Sequence, residues 1–196
     1  MIPEWDSLPE DVWDYIFQRV NEDDFDAISR TCKLFLSITD RLRTTLTISN
    51  ENVAVGILRR CRNIKRVNVH PNMQGDLDCL IRVISTSGVA IEALDLSDQK
   101  QSFASSSSIG EAGEGTLGRT LKILICSSIH WTLMDRDLVT ISEAFPALKE
   151  LEIAYEVQDV TDAGIAALAS KFERLLSPLS LRSLVELCVH LRVPSA

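Results

Sequence analysis

The sequence lacks several patterns that mark particular classes of protein. No apolar run approaches the roughly 18 residues that a membrane-spanning helix needs. The start of the chain has no basic segment followed by an apolar one, which is the pattern of a secretory signal. We therefore expect a protein of the cytoplasm, the nucleus or both, with no membrane partner.

Positive charge is scarce as well, since 20 Lys and Arg residues stand against 28 Asp and Glu residues and give a net charge of −8. Nucleic-acid binding needs clustered excess cations, so we expect no nucleic-acid partner. The charge is uneven, because residues 1–26 are strongly acidic and residues 41–66 are rich in arginine. This change of sign indicates two surfaces or two modules that meet different partners.

Motifs for catalysis or cofactor binding are also missing. The five cysteines are widely spaced and odd in number, and they form no C-x-x-C pair, which indicates buried thiols rather than disulfides. Cys61, His70 and Cys79 are too far apart in sequence for a usual zinc site. The glycines over residues 110–115 are accompanied by two carboxylates that would repel a phosphate. The sequence predicts no catalytic residue, no metal and no other cofactor.

The clearest positive signal is a helix pattern near the N-terminus. Ser7, Pro9 and Glu10 have the spacing of a capping box with proline in the first turn. An apolar face follows at helical spacing, formed by Trp13, Ile16, Phe17 and Val20. The sequence therefore predicts an amphipathic helix that begins close to residue 8.

Two more short amphipathic helices are predicted before residue 45. The apolar residues of the first are Phe25, Ile28 and Cys32. Those of the second are Leu34, Phe35, Ile38 and Leu42. Three such helices share too little apolar surface to be stable alone, which favours packing on a partner.

These segments resemble a known family. Residues 5–17 resemble the opening of an F-box, in which Leu-Pro precedes an acidic helix that ends in Ile-Phe or Ile-Leu. Residues 24–35 are similar to the continuation, with Phe25 where leucine is common and Thr31 where valine is common. The resemblance implies a three-helix domain over residues 5–48 that binds a Skp-type adaptor and, through it, a cullin.

The resemblance also implies which residues contact the adaptor. By position they are Leu8, Pro9, Ile16, Phe17, Val20, Phe25, Ile28, Cys32 and Phe35. A helix-in-groove interface uses aliphatic and aromatic anchors of this kind. We therefore expect that Leu8→Ala together with Phe17→Ala removes adaptor binding and leaves the fold intact.

The rest of the chain contains a recurring pattern of the form apolar-x-x-apolar-x-apolar. The pattern begins at Ile64, Ile91, Leu121, Leu148 and Leu184, with a degenerate copy over residues 43–48. Helical patterns lie between the copies, over residues 77–84, 137–145 and 162–169. A strand and a helix in each unit of about 30 residues are typical of leucine-rich repeats.

We therefore predict an α+β chain in which the three helices precede an α-β solenoid over residues 49–196. The solenoid would contain about five irregular repeats, with a flexible inserted loop over residues 98–120, which are rich in serine and glycine. Residues 160–165 resemble the Ile-Thr-Asp-x-Gly-Leu step of cysteine-containing repeats. The whole architecture resembles plant-type F-box/leucine-rich-repeat proteins.

That resemblance implies a non-catalytic substrate-recognition subunit of an SCF ubiquitin ligase, which promotes ubiquitin-dependent protein degradation. An unknown protein substrate would contact the residues that alternate outward on the strands. These are Arg66, Asn68, Glu92 or Ala93, Asp95, Ile123, Ile125, Glu150 and Glu152. Two alternatives stay open: a ligase-independent repeat scaffold, and a small-molecule or hormone sensor, which a short array disfavours.

Overall fold

The computed structural model describes residues 8–97, 106–126, 134–152 and 161–172. It begins with helix α1 at Glu10–Phe17, a 3₁₀ turn at Glu22–Asp24, and helices α2 at Phe25–Ile28 and α3 at Lys33–Leu42. Pro9 is the N-cap residue of α1, one step outside the helix predicted to contain it. Cys32, predicted to belong to the second helix, lies beyond the end of α2 at Ile28 and is the N-cap residue of α3. Ser7, the predicted cap of α1, lies outside the described residues.

Strands and helices then alternate along the chain. The strands are β1 at Thr45–Asn50, β2 at Arg66–Gln74, β3 at Ala93–Asp95, β4 at Ile123–Ile125 and β5 at Glu150–Glu152. The helices are α4 at Glu51–Arg60, α5 at Leu77–Thr86, α6 at Ser106–Glu114, α7 at Thr116–Thr120, α8 at Asp135–Ala144 and α9 at Asp162–Phe172. Every predicted strand within the described ranges is present, whereas the copy at residues 184–189 falls outside them.

The five strands form one parallel sheet in the order β1-β2-β3-β4-β5. The central apolar residue of each sequence copy lies opposite its counterpart in the next strand. This row consists of Leu46, Val67, Leu94, Leu124 and Leu151. The sequence copies therefore pair with their central apolar residues side by side. A slip of one residue in this pairing would turn each of these side chains away from the core.

Alternation along the strands separates two faces of the sheet. On one face, the central row and its neighbours such as Ile48, Val69 and Leu96 are buried in a common core with Leu58, Ile84 and other helix residues. Helices α4, α5, α6, α8 and α9 contact one another in sequence along that face. The described chain is thus a mixed helix and strand fold with a parallel sheet, and none of its helices is long and apolar enough to span a bilayer.

The same backbone arrangement recurs where each strand begins. The carbonyl oxygen of Lys65 accepts from the N–H groups of Glu92 and Ala93, at 2.8 and 2.9 Å. Thr44, Glu92 and Lys122 play the same part for the next strand in line. Each strand start is therefore tied to the previous one by two backbone hydrogen bonds, which satisfies polar groups that the short strands would otherwise leave unpaired.

The prediction of a flexible loop over residues 98–120 needs correction. Residues 106–120 form α6 and α7, and residues 98–105 lie outside the described ranges. Apolar side chains hidden among the serines and glycines, including Ile109 and Leu117, are buried in the core. Gly113 is needed for close packing, because a Cβ there would lie 2.6 Å from the Ala144 Cα atom of α8. The serine- and glycine-rich composition indicated a mobile loop, but packing of the buried apolar side chains makes this segment helical.

Candidate interaction surfaces

Three aromatic rings hold α1 against α3. The ring centroids of Trp13 and Phe35 are 4.7 Å apart, those of Phe17 and Phe35 are 4.9 Å apart, and those of Trp13 and Phe17 are 5.8 Å apart. Two of these contacts have the edge-to-face geometry that aromatic quadrupoles favour. The apolar face predicted for α1 therefore packs in large part on the chain's own third helix.

An ionic contact supports the same pair of helices from outside. The guanidinium of Arg41 on α3 donates to Glu10 at 3.0 Å and to both carboxylate oxygens of Asp14 at 2.5 and 2.7 Å. Hydrogen bonding to Asp14, and then to Glu10, raises the pKa of Arg41 above its ordinary value. The planar guanidinium suits two acceptors on one helix face, so the orientation of α1 on α3 is defined by polar as well as apolar contacts.

The nine residues predicted to contact an adaptor fall into two groups. Phe17 and Phe25 are only 4% and 3% exposed, so their side chains belong to the chain's own core. The other seven keep accessible surface, and they are Leu8, Pro9, Ile16, Val20, Ile28, Cys32 and Phe35. The proposed Phe17→Ala substitution would therefore disturb the fold, and the expectation that it leaves the fold intact is corrected.

Sequence reasoning missed two residues of this surface, Val12 and Tyr15. With Leu8 and Ile16 they form what we call the α1 stripe, a row of apolar side chains that are 37% to 59% exposed. These are four of the five large exposed hydrophobic residues in the described part of the chain. Leu8 precedes α1, whereas Val12, Tyr15 and Ile16 stand at i, i+3 and i+4 within it. That spacing is a helical face, so it was a signal that could have identified Val12 and Tyr15.

The N-terminal helices are joined to the sheet through carboxylates. Glu22 accepts hydrogen bonds from the backbone N–H groups of Thr44 and Thr45 and from the Thr44 hydroxyl. Asp26 pairs with Arg43 at 2.7 Å, next to the start of β1. The acidic first segment and the basic second segment therefore pair with each other in part, and this pairing neutralises some of the charge that the sequence predicts on each.

The second surface is the face of the sheet opposite the helices, which we call the open face. Its first row contains Thr45, Arg66, Ala93, Ile123 and Glu150. Its second row contains Thr47, Asn68, Asp95, Ile125 and Glu152. Apart from the buried Ala93, all of these side chains are partly or fully exposed. The structure thereby brings together seven of the residues predicted to face a substrate on one surface.

A charged row runs beside the open face, at the strand starts. Glu92 pairs with Lys122 at 2.6 Å and with Lys65 at 3.3 Å. The hydrogen bond from Lys122, and then that from Lys65, lowers the pKa of Glu92. Glu92 therefore belongs to this edge, and Ala93 is the open-face residue of the two that the sequence left undecided. The charged residues of this row occupy the second position in their sequence copies. The prediction from alternation along the strands did not use that position as a signal.

The buried thiols do not offer a nucleophile. Burial, and then a hydrogen bond to Asp40, raises the pKa of Cys61 to about 12. Burial likewise raises the pKa of Cys126. A thiol with a raised pKa holds its proton at neutral pH and is a poor nucleophile. Cys32 and Cys79 are partly exposed, which differs from the prediction of burial, and Cys188 lies outside the described residues.

Comparison with known families agrees with the N-terminal geometry. The family profile described as the F-box domain matches residues 5–47. No curated protein matches the chain. The match covers α1, α2 and α3 and ends within β1, where Glu22 joins the helices to the sheet. The N-terminal segment of this chain, residues 5–47, is an F-box domain.

Proposed function

We propose that this chain is the substrate-recognition subunit of an SCF ubiquitin ligase and acts in the cytoplasm or nucleus. F-box domains generally bind a Skp-type adaptor and so link to a cullin. The observation that carries the proposal is the α1 stripe, which leaves apolar side chains accessible on a domain of that family. Exposed apolar residues concentrated on one helix and the residues just before it mark an interaction surface rather than ordinary scatter.

The proposed adaptor contact combines the α1 stripe with part of the predicted set. The residues that join the stripe are Pro9, Val20, Ile28, Cys32 and Phe35. Phe17 and Phe25 support the interface from beneath, because each is almost fully buried. Aliphatic and aromatic anchors supply binding energy when a partner excludes water, while the acidic rim at Asp11 steers orientation.

For residues 49–196 we propose a short array of irregular leucine-rich repeats of the plant type. Sequential order of parallel strands, one shared register and consecutive helix contacts support this interpretation. A repeat array buries each unit against its neighbours, which agrees with one core cluster that joins described residues from Leu46 to Leu168. The open face is then the surface that presents a target protein for degradation.

The proposed mechanism is proximity rather than covalent chemistry. The F-box domain holds the adaptor, and the open face holds the target, so a ubiquitin-charged enzyme meets the target at high effective concentration. The contacts of Glu22 with Thr44 and Thr45 support this mechanism, because they hold the two surfaces in one relative orientation. Holding the target close to the ubiquitin-charged enzyme promotes ubiquitin transfer without any catalytic group on the receptor.

A binding assay with matched variants tests the proposal. Val12→Asp places a charge in the α1 stripe, and Val53→Asp places the same charge on α4, where Val53 is 54% exposed. Titration of a purified Skp-type adaptor should show binding in the micromolar range or tighter for the unchanged chain. Val12→Asp should weaken it by about tenfold or more, corresponding to about 1.4 kcal/mol. Val53→Asp should leave it unchanged.

The same assay separates the alternatives. A ligase-independent scaffold predicts no adaptor binding by the unchanged chain, and equal weakening by both variants would also contradict the proposal. A small-molecule sensor has less support. A cavity of about 450 Å³ lies between the F-box domain and β1. Two of its carboxylates, Asp26 and Asp40, are already paired with Arg43 and Arg60.

A further inference from the structure

We infer that the outer edge of β1, together with the cavity beside it, binds an extended segment of a partner protein that carries a lysine or arginine. This edge differs from the α1 stripe and from the open face, so the inference goes beyond the proposed function. Three features support it: the unpaired backbone groups of β1, the position of the adjoining cavity and the charges that line that cavity.

The outer edge of β1 presents backbone groups that need a partner. β1 stands at one end of the strand order and pairs with β2. Arg66 on β2 donates to the carbonyl oxygen of Thr44, so Leu46, two residues on, also directs its N–H and C=O toward β2. Thr45 and Thr47 therefore direct theirs outward. Within the described part of the chain, no group forms a hydrogen bond with the N–H or the C=O of Thr47.

This edge is suited to pairing with a further strand. Thr47 and Ser49 are exposed, and β1 contains no charged residue and no proline, the residue types that discourage pairing at natural sheet edges. The outward N–H of Thr45 already has an acceptor, because the Glu22 carboxylate bonds to it at 2.7 Å. The F-box domain thus satisfies the first group of the edge and leaves Thr47 for a partner. An extended peptide would supply the missing hydrogen bonds as an added strand.

The cavity of about 450 Å³ between the F-box domain and β1 adjoins this edge. Thr45 and Thr47 contribute to its wall on the β1 side. Leu36 of α3 and Ile57 of α4 supply partly buried apolar surface, which suits the methylene stem of a long side chain. A side chain on the helix side of an added strand would therefore enter the cavity rather than remain in solvent.

The charges that line the cavity favour a cation. The lining contains four carboxylates and two arginines, and the arginines pair with Asp26 at 2.7 Å and with Asp40 at 3.0 Å. Among the described residues, neither Glu22 nor Asp23 has a cationic partner, so the lining has a net negative charge. A lysine or arginine head group would balance it. A second copy of this chain would bring the same negative lining to the edge, which disfavours self-pairing.

The first test uses the full chain and short labelled peptides. The probe alternates valine and threonine around a central lysine, and the comparison carries glutamate in place of that lysine. Fluorescence anisotropy should show the lysine peptide binding about tenfold more tightly than the glutamate peptide. Equal binding of the two peptides, or no binding of the lysine peptide at millimolar concentration, would overturn the inference.

Methylation of the peptide nitrogens tests edge pairing without any change to the protein. Alternate residues of an added strand turn their N–H groups toward β1, and the others turn theirs away from it. Methylation of one alternate set should therefore weaken binding by about tenfold or more, and methylation of the other set by no more than about twofold. Equal effects of the two sets would contradict strand addition.

Thr47→Pro removes the outward N–H from the protein itself. The bonds between β1 and β2 do not use this group, and proline is tolerated where the N–H of an edge strand faces solvent. A folded Thr47→Pro variant should lose about tenfold in peptide affinity, whereas Thr47→Val keeps the N–H and should bind normally. Unchanged affinity in Thr47→Pro would refute the inference, and so would a dimer of the unchanged chain that Thr47→Pro dissociates. The methylated peptides decide the question if Thr47→Pro does not fold.

Two neighbouring carboxylates test the role of the cavity. Asp23 lines the cavity and Asp24 does not, although both are exposed. Asp23→Asn should weaken binding of the lysine peptide by about threefold, and Asp24→Asn should leave it unchanged. Equal weakening by both would overturn the inference, because attraction would then follow the overall charge of −8. Adaptor titration of the unchanged chain tests the proposed function separately, so either proposal can fail without the other.

Discussion

The carboxylate of Asp135 accepts two hydrogen bonds from Thr161, from its backbone N–H at 2.8 Å and from its hydroxyl at 2.6 Å. Asp135 is the first residue of α8 and Thr161 directly precedes α9. The same relationship recurs earlier, where Glu51, the first residue of α4, accepts from the backbone N–H of Asp76 before α5 at 2.7 Å. A carboxylate at the start of one helix thus anchors the start of a later neighbouring one.

The Asp135 contact makes stability depend on pH. Hydrogen bonds from Thr161 lower the pKa of Asp135 in the folded state, so its contribution is present above the unfolded pKa of about 3.9 and is lost as pH falls below it. Asp135→Asn should lower the Tm at pH 6, and the difference from the unchanged protein should shrink below about pH 4. Thermal unfolding from pH 6 to pH 3 measures this, with Glu114→Gln as the control variant. A difference that stays constant with pH would contradict the prediction.

Substitution by alanine should change the free energy of unfolding in opposite directions at Gly113 and Gly56. A Cβ at Gly113 would meet the Ala144 backbone, so Gly113→Ala forces α6 away from α8 and should destabilise by about 1–3 kcal/mol. Gly56 lies in α4 with nothing within 4 Å of the same position. Gly56→Ala should stabilise by about 0.5–1 kcal/mol through helix propensity. Urea unfolding measures both, and stabilisation by Gly113→Ala similar to that by Gly56→Ala would show that helix propensity, not packing, decides the effect in α6.

Phe17 and Ile16 are adjacent in sequence but should affect different properties. Phe17→Ala removes a buried ring from its contacts with Trp13 and Phe35 and should cost about 3–5 kcal/mol of unfolding free energy. Ile16 is 37% exposed, so Ile16→Ala should cost less than about 1 kcal/mol. Adaptor affinity should fall for Ile16→Ala even though its stability is retained. Equal loss of stability in the two variants would refute this division of α1 into two faces.

Glu22 should contribute to stability although its side chain is partly exposed. Glu22→Ala leaves the N–H groups of Thr44 and Thr45 without their acceptor and should lower the unfolding free energy by about 1–3 kcal/mol. The control is Asp24→Ala, since the Asp24 side chain makes no cap hydrogen bond to α2. Chemical denaturation of the two variants compares them directly. Similar small effects from both would mean that the F-box domain and the sheet are not joined through Glu22.

Sequence alone predicted the strands because each copy carries its own period. The row Leu46, Val67, Leu94, Leu124 and Leu151 could be read from spacing, and so could the alternate set that lies on the open face. The F-box domain was also identifiable, since its signature consists of local apolar spacing and a Leu-Pro pair. Local periodicity predicts these elements because the apolar side of a strand or helix has to be buried in the fold.

Other outcomes depended on contacts between distant residues. Spacing could not separate Phe17, which packs under Phe35, from Ile16, which remains on the surface. Composition could not show that Gly113 serves close contact with Ala144 rather than chain mobility. The joining role of Glu22, and that of Asp135 toward Thr161, likewise follows from positions that only the folded chain brings together.

The sequence by itself determined the F-box domain, the repeating strands and the alternation that assigns residues to the open face. The tertiary structure decided which of the N-terminal apolar residues stay accessible, as Val12 does, and which charged side chains pair with each other, as Glu92 and Lys122 do. The physical reason is that periodicity depends on neighbours along one segment, whereas exposure and charge pairing depend on what the other segments cover.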